Sequence, residues 1–256
     1  MKTFKKKGYL LGKNLVDKRK IILIKNSIKY LLKKYLKKFP SKDIDEQLIY
    51  LRKKDKTKFG YLFDSLQTLS INYEILSNFK ILKKISNLLN VDISSITLTD
   101  VALRLDPPHD ERNSLGWHQD SSYFRQNNNG KNGIVLWTPV VQISEKMGRL
   151  EFLKDSHNIG PLNIRKKVHK IKNKSSKRDI DPKKLKKYKT ILKYDLNLGD
   201  TLLMNMDMVH RSGKNTSNKF RISLIGRYHN MTKKDFNPGL NIYKYSNKKV
   251  QKEVHG

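Results

Sequence analysis

Residues 117–120 read Trp-His-Gln-Asp, and a second histidine, His210, follows much later in the chain. A His-x-Asp pair with a distant histidine is typical of the two-His-one-carboxylate triad that holds non-haem Fe(II). Such a triad occupies one face of the ion and leaves the other open for dioxygen and a chelating cosubstrate. Arg221 lies beyond His210, and a guanidinium binds carboxylates bidentately, which suits a dicarboxylate such as 2-oxoglutarate. The pattern predicts an oxygenase with His118, Asp120 and His210 as metal ligands.

The segments that carry these residues are predicted to be β-strands. His118 and Asp120 stand at i and i+2, so on a strand both side chains leave the same face. The apolar run 199–209 predicts a strand that ends at His210. A turn and a returning strand should follow, and a hairpin of this kind would bring Arg221 close to His210.

Several further motifs accompany the histidines in a fixed order between about residues 95 and 230. The matching segments are Pro107-Pro108, Trp117-His118-Gln119-Asp120, Tyr123-Phe124, Leu136-Trp137-Thr138-Pro139, Gly148-x-Leu150, Ser156-His157, Gly199-Asp200-Thr201, His210-x-Ser212-Gly213-x-Asn215-x-Ser217 and Arg221. This series resembles the phytanoyl-CoA dioxygenase family of Fe(II)/2-oxoglutarate oxygenases, and it is more specific than any single motif. One departure is Lys154-Asp155, where that family usually has Pro-Gly; it concerns the shape of this turn and not the metal site.

The resemblance implies an α+β or mainly β fold with a double-stranded β-helix core of the jelly-roll, cupin-like kind. It implies that His118, Asp120 and His210 hold Fe(II) and that 2-oxoglutarate and dioxygen are cosubstrates. Arg221 would bind the far carboxylate of 2-oxoglutarate.

Other residues near these motifs have two interpretations each. Trp137 and Ser212 stand where the family contacts the cosubstrate, but a tryptophan in an apolar strand is often core and a serine often forms a turn. Gln119 lies between two ligands, near the metal, and is a candidate cofactor-binding residue. Tyr123 is a candidate for substrate contact or for packing. Arg104 is a candidate for binding an anionic group of the substrate, or an exposed surface residue.

Length and composition fit a soluble enzyme. The chain has 256 residues and no cysteine, which excludes disulfides and thiolate metal sites. No apolar run approaches the length needed to span a bilayer. Residues 1–7 are basic but lack the apolar segment of a secretory signal, so a cytoplasmic location is expected.

The chain divides by its patterning into two parts that we expect to form one structural domain. Residues 1–92 predict a helical portion, because apolar residues recur with helical spacing in 21–36 and 61–89. Residues 93–256 predict the β-core that these helices buttress, with a basic insertion at about 163–193. The sequence shows no internal repeat.

The net charge of +32 has two interpretations. The excess is concentrated in residues 1–58 and 165–193, outside the motif core, and only 11 of the 55 basic residues are arginine. A lysine-rich, asparagine-rich composition of this kind is typical of drift in an AT-rich genome. The segment 165–193 also suits attraction of an anionic or carrier-linked substrate, because it falls between the strands that should frame the site.

The predicted reaction is hydroxylation of an unactivated C–H bond in a small molecule, with release of succinate and carbon dioxide; the same site could also support desaturation or ring closure. Asp120 disfavours halogenation, because halide ligation in this class needs the carboxylate position vacated. One alternative is a nucleic-acid dealkylating oxygenase, a class in which the Arg-x5-Arg spacing of Arg221 and Arg227 also occurs. Another is a non-catalytic β-helix binding module. The sequence identifies neither the substrate nor the oligomeric state.

Overall fold

The structure is a computed structural model that describes residues 2–110, 116–124, 126–127, 129–162, 164–167 and 177–238. Helices dominate the first part of the chain and strands the second. The helices are α1 (Lys2–Lys7), α2 (Lys18–Tyr35), α3 (Ile44–Lys54), α4 (Lys56–Gln67), α5 (Ser70–Leu76), α6 (Phe79–Leu89) and α7 (Pro182–Leu185). The strands are β1 (Tyr9–Gly12), β2 (Ile96–Asp106), β3 (Gly133–Pro139), β4 (Leu150–Leu153), β5 (Ile164–Lys167), β6 (Lys177–Ile180), β7 (Ile191–Lys193), β8 (Thr201–Asn205), β9 (His210–Ser212) and β10 (Arg221–Asn230).

The strands form antiparallel sheets, and the fold is mixed α/β. The larger sheet has the order β1-β8-β3-β10-β2, and the smaller has the order β7-β4-β9. An isolated antiparallel bridge between His118 and His210 continues the smaller sheet beyond β9. Strands β5 and β6 pair with each other as a separate two-stranded sheet.

The helices cover one face of the larger sheet because their apolar residues recur on one side. In α2 these residues are Ile21, Ile24, Ile28 and Leu32, and all are buried. They pack in one cluster with sheet residues such as Leu136 of β3. Full burial of each such side chain contributes about 1.5–3 kcal/mol, so this layer anchors the sheet.

Strand β3 shows how the larger sheet is buried on both sides. Ile134 and Leu136 belong to the helix-side core, whereas Val135 and Trp137 belong to a second cluster that includes Phe152 of the smaller sheet. The alternation follows from the two-residue period of a strand. The candidate metal ligands lie at the margin of this second cluster.

The N-terminal helical portion also contains the short strand β1, which pairs with β8 at the edge of the larger sheet. Two predictions about local structure were wrong. His118 and Asp120 do not share a strand, since only His118 bridges and Asp120 begins the short 3-10 helix Asp120–Ser122. His210 begins β9 instead of ending a strand, and β10 pairs with β2 and β3, so the expected hairpin does not form.

The basic insertion predicted at about 163–193 is described only in part. Its described portion contains β5, β6, α7 and β7, while residues 163 and 168–176 lie outside the described residues. Among the helices that the structure describes, none has the length and apolar character needed to cross a bilayer.

Candidate metal centre

Three side chains from separate parts of the fold meet at one buried point. One potential ligand atom from each of His118, Asp120 and His210 lies within 4.8 Å of the others. Oδ1 of Asp120 is 3.5 Å from Nε2 of each histidine. The backbones of the two histidines exchange hydrogen bonds of 3.0 and 2.9 Å. The β-bridge therefore fixes the separation of the two imidazoles, and the turn after it brings the carboxylate between them.

The histidine rings are oriented by hydrogen bonds at the nitrogen remote from the cluster. Nδ1 of His118 lies 2.7 Å from the Gly116 carbonyl oxygen, and Nδ1 of His210 lies 2.9 Å from that of Met208. A carbonyl oxygen only accepts, so each Nδ1 carries the proton and donates it. Each Nε2 then presents its lone pair toward Asp120, as a metal ligand requires.

The second oxygen of Asp120 is held by a buried arginine. Nε of Arg227 donates to Oδ2 of Asp120 at 2.8 Å, and Nη1 of Arg227 donates to Asp100. The guanidinium also lies 3.9 Å from the ring centroid of Phe124. Sequence reasoning noted Arg227 only as part of Arg-x5-Arg and missed this contact. The signal was present, because Arg221, Arg227 and the residues two apart between them share one face of β10.

The electrostatic environment keeps Asp120 and His210 in their metal-binding protonation states. Burial by itself would raise the pKa of the Asp120 carboxyl, but Arg227 and the two histidines outweigh burial and hold that pKa well below its usual range. Burial, and then the neighbouring His118, lower the pKa of His210 to about 4. At neutral pH the cluster therefore offers a carboxylate and a neutral imidazole, and ligands of this kind bind a cation without first losing a proton.

The donor set fits a divalent iron ion. Metal–ligand bonds of about 2.1 Å place adjacent octahedral ligands about 3 Å apart, close to the 3.5 Å observed between Asp120 and each histidine. Two nitrogens and one oxygen on one side leave positions free on the other, which is the arrangement of non-haem Fe(II) oxygenases. A carboxylate as deeply buried as that of Asp120 would lower the stability of the fold if no cation lay beside it.

A small cavity opens beside the cluster, and several predicted residues line it. Trp137, Ser212 and Arg104 are among its lining residues, together with the three ligands. Tyr123 lies next to it, with its ring edge-to-face to His118 at a centroid distance of 5.8 Å. The structure thus places three of these residues in the lining of the metal cavity and the fourth, Tyr123, against His118.

Gln119 is close to the ligands in the chain but is not among the residues that line the cavity. Its Nε2 donates to the carbonyl oxygens of Gly160 and Asp207 at 2.8 and 2.7 Å, and its Oε1 accepts from the Leu162 backbone at 2.8 Å. The fully buried amide ties together the loops behind the cluster.

Arg221 is also absent from the residues that line the metal cavity, and its guanidinium is enclosed by acceptors. Its Nε and Nη2 lie 3.2 and 3.0 Å from Oδ2 of Asp106. Its Nη1 donates to the carbonyl oxygens of Gly148 and Gly213. Asp106 lines the metal cavity and stands between it and Arg221.

This fold and this ligand cluster define a non-haem iron enzyme of the 2-oxoglutarate-dependent class. The family model for phytanoyl-CoA dioxygenase (PhyH) matches residues 4–223. The chain belongs to the phytanoyl-CoA dioxygenase family and is an Fe(II)/2-oxoglutarate-dependent oxygenase.

Solved structures of similar fold include enzymes of this class. The non-heme monooxygenase ThoJ is 18% identical over 90% of this chain and 76% of its own, with a TM-score of 0.59. EvdO2 from Micromonospora carbonacea var. aurantiaca, solved with 2-oxoglutarate, is 13% identical over 90% and 89%, with a TM-score of 0.59. The epimerase SnoN, solved with Fe3+, alpha ketoglutarate and nogalamycin RO, is 14% identical over 93% and 85%, with a TM-score of 0.58. At these identities the likeness shows the fold alone. No curated protein sequence matches the chain.

Proposed function

We propose that this oxygenase hydroxylates an unactivated C–H bond of a small molecule, with His118, Asp120 and His210 as the iron ligands. The observation that carries the proposal is the buried cluster in which both Nε2 atoms lie 3.5 Å from one carboxylate oxygen. Bound iron and 2-oxoglutarate supply the oxidation of substrate by dioxygen, with release of succinate and carbon dioxide.

The chain's own residues orient the candidate ligands, bind the cosubstrate and keep water out of the cavity. Arg227 holds Oδ2 of Asp120 by a hydrogen bond, which leaves Oδ1 directed at the two histidines. We assign the far carboxylate of 2-oxoglutarate to Arg221, with the Ser212 hydroxyl beside it. Trp137 provides an apolar wall of the metal cavity, which strengthens electrostatic interactions there by keeping water out.

We assign substrate contacts to Arg104 and Tyr123. Arg104 is a cationic side chain of the cavity lining, so the substrate expected there carries an anionic group. Tyr123 stands over the edge of His118 and would limit the substrate's approach to the iron. A cytoplasmic location and attraction of substrate by the basic residues of 163–193 stay predictions.

We further propose that the core is a double-stranded β-helix. Two antiparallel sheets pack across one apolar cluster, and the His118 bridge adds a fourth chain segment to the order β7-β4-β9. In this arrangement the two histidines stand on adjacent chain segments of the smaller sheet, while Arg221 begins a central strand of the larger one.

Other reactions remain as alternatives with specific tests. SnoN, which is similar in fold, is an epimerase, so this fold is not restricted to one outcome. The Arg-x5-Arg spacing does not favour nucleic acid here, because Arg227 is buried and paired with Asp120 and Asp100. A non-catalytic module is disfavoured by the complete ligand set.

The test is anaerobic titration of the apo-protein with Fe(II) and 2-oxoglutarate, followed by the weak visible charge-transfer band of the chelate. We expect the band in the wild type, its loss in Asp120→Ala, and a dissociation constant for 2-oxoglutarate raised about 10- to 100-fold in Arg221→Ala, the range for a lost hydrogen bond to a charged group. Asp64→Ala, an exposed carboxylate on α4, is the control. A folded wild type without a band contradicts the proposal. Succinate release stimulated by methylated single-stranded DNA would favour the dealkylating alternative.

A further inference from the structure

Asp106 occupies an unusual position between two arginines. Its Oδ2 accepts from Nε and Nη2 of Arg221 at 3.2 and 3.0 Å. Its Oδ1 accepts from Nη2 of Arg104 at 2.7 Å. The bond to Arg221 is fully buried, and carboxylate–guanidinium bonds are the strong class of protein hydrogen bonds. The carboxylate of Asp106 therefore holds the position on Arg221 that a bound dicarboxylate would need.

Asp106 also separates two cavities. On one side is the metal cavity, of about 40 Å³, which has room for about three water molecules. On the other side is a cavity of about 210 Å³ whose lining includes Arg221, Asn215 and Asp106. Movement of the Asp106 side chain would join the two spaces and open a path from the iron ligands to Arg221.

Arg221 does not depend on Asp106 for its place. Its Nη1 donates to the carbonyl oxygens of Gly148 and Gly213, the latter at 3.0 Å. These two glycines approach each other so closely that a Cβ on Gly148 would collide with the Gly213 carbonyl. The carbonyl cradle would keep the guanidinium in position after the carboxylate leaves.

The backbone of Asp106 is fixed, so only its side chain is free to turn. The residue pairs with Arg221 across the sheet, and its carbonyl oxygen accepts from Nδ2 of Asn215 at 3.2 Å. It also precedes Pro107, which restricts it to extended backbone angles. Arg104, already bonded to Oδ1, offers a partner on the side of the metal cavity.

We propose that Asp106 is an internal competitor for the cosubstrate and sets the affinity and specificity of this enzyme for 2-oxoglutarate. Its carboxylate leaves Arg221 and turns to Arg104 when the distal carboxylate of the cosubstrate arrives. Only a ligand with a distal carboxylate replaces the lost bonds, so 2-oxo acids without one bind without displacing Asp106. This inference rests on the proposed role of Arg221.

The experiment measures anaerobic dissociation constants of the Fe(II)-loaded protein for 2-oxoglutarate and for 2-oxovalerate, which lacks the distal carboxylate. In Asp106→Asn, which keeps the shape and removes the charge, we expect the constant for 2-oxoglutarate to fall about tenfold. The constant for 2-oxovalerate should not change. Arg104→Gln removes the alternative partner and should raise the constant for 2-oxoglutarate by a similar factor. Asp200→Asn is the matched control, since Asp200 is also buried but is paired with Lys13 away from the site.

The outcomes distinguish failure of this inference from failure of the proposed function. If Arg221→Ala abolishes the preference for 2-oxoglutarate over 2-oxovalerate but Asp106→Asn binds no tighter than wild type, the competitor role is refuted alone. If no variant or wild type forms the chelate, the proposed function and the inference are refuted together. Should Asp106→Asn fail to fold, the opposite shift in Arg104→Gln decides, and an unchanged constant there overturns the proposal.

Discussion

Replacement of Arg227 by methionine tests how the apo-protein tolerates the buried carboxylate of Asp120. Arg227 is buried and donates to Asp120 and Asp100. Methionine retains much of the side-chain length and its contact with Phe124 but removes the charge and the donors. Asp120, which is itself buried, would then lose its principal cation.

The expected magnitude follows from the burial of each partner. Breaking a buried ion pair by removing one member costs about 3–5 kcal/mol. The Asp100 side chain is 27% exposed, so water can take the place of Arg227 beside it, and most of the cost comes from Asp120. We therefore expect the apo-variant to lose about 3 kcal/mol in free energy of unfolding. Because a bound divalent ion would supply positive charge beside Asp120, saturating metal should stabilise the variant more than the wild type.

The assay is urea denaturation of apo- and metal-loaded protein, with Arg227→Lys and Arg19→Met as companions. Lysine keeps the charge without the planar fork, so its stability should fall between those of the wild type and Arg227→Met. Arg19 forms an exposed ion pair with Asp17, and its replacement should leave the midpoint unchanged. A loss below about 1 kcal/mol in apo Arg227→Met would refute the reasoning, as would equal stabilisation of both proteins by metal.

Three further changes probe other parts of the molecule. Leu32→Ala removes a fully buried side chain of α2 and should cost about 3 kcal/mol of unfolding free energy in urea. Gly148→Ala forces a side chain at φ +78° against the Gly213 carbonyl, so it should distort the cradle of Arg221 and weaken 2-oxoglutarate binding in the anaerobic titration. Burial, and then Arg227, lower the pKa of His229 to about 4. Between pH 6.5 and about 4, His229 therefore binds a proton in the unfolded state but not in the folded state. The free energy of unfolding falls by roughly 3 kcal/mol as pH drops through this window. His229→Gln should remove that part of the decline when wild type and variant are unfolded in parallel.

Matched positions control these three predictions. Leu23 on the same helix is half exposed, so its replacement by alanine should cost far less than that of Leu32. Gly60 lies within α4 with open space where a Cβ would stand, so Gly60→Ala should stabilise the protein slightly. Identical pH dependence in His229→Gln and wild type would show that His229 accepts a proton in the folded state.

The candidate metal ligands were predictable because a local motif names the residue types that such a site needs. The order His-x-Asp, then a distant His, limited the choice to His118, Asp120 and His210, and the structure brings them together. The local backbone was not predictable to the same degree. The i, i+2 spacing suggested a strand, but the ladder stops after one bridge and Asp120 turns into a 3-10 helix.

Sheet membership was the other feature that local patterns did not reveal. β9 and β10 look like the arms of a hairpin, yet they belong to different sheets, because β9 pairs with β4 whereas β10 pairs with β2 and β3. The contact between Asp106 and Arg221 joins residues far apart in sequence. Strand β1 is short and lies among helices, so only its pairing with β8 identifies it.

The strand order of the larger sheet also has a consequence for synthesis of the chain. β10, the last strand of this sheet in sequence, stands between β2 and β3, while β1 pairs with β8. At about 5–20 residues per second, a ribosome needs roughly 10–40 s between β1 and its partner. Until β10 is also made, β2 and β3 lack the strand that stands between them and must avoid pairing with each other. The N-terminal helices are synthesised first, and their apolar surface is available for β2 and β3 to pack against before β10 is made.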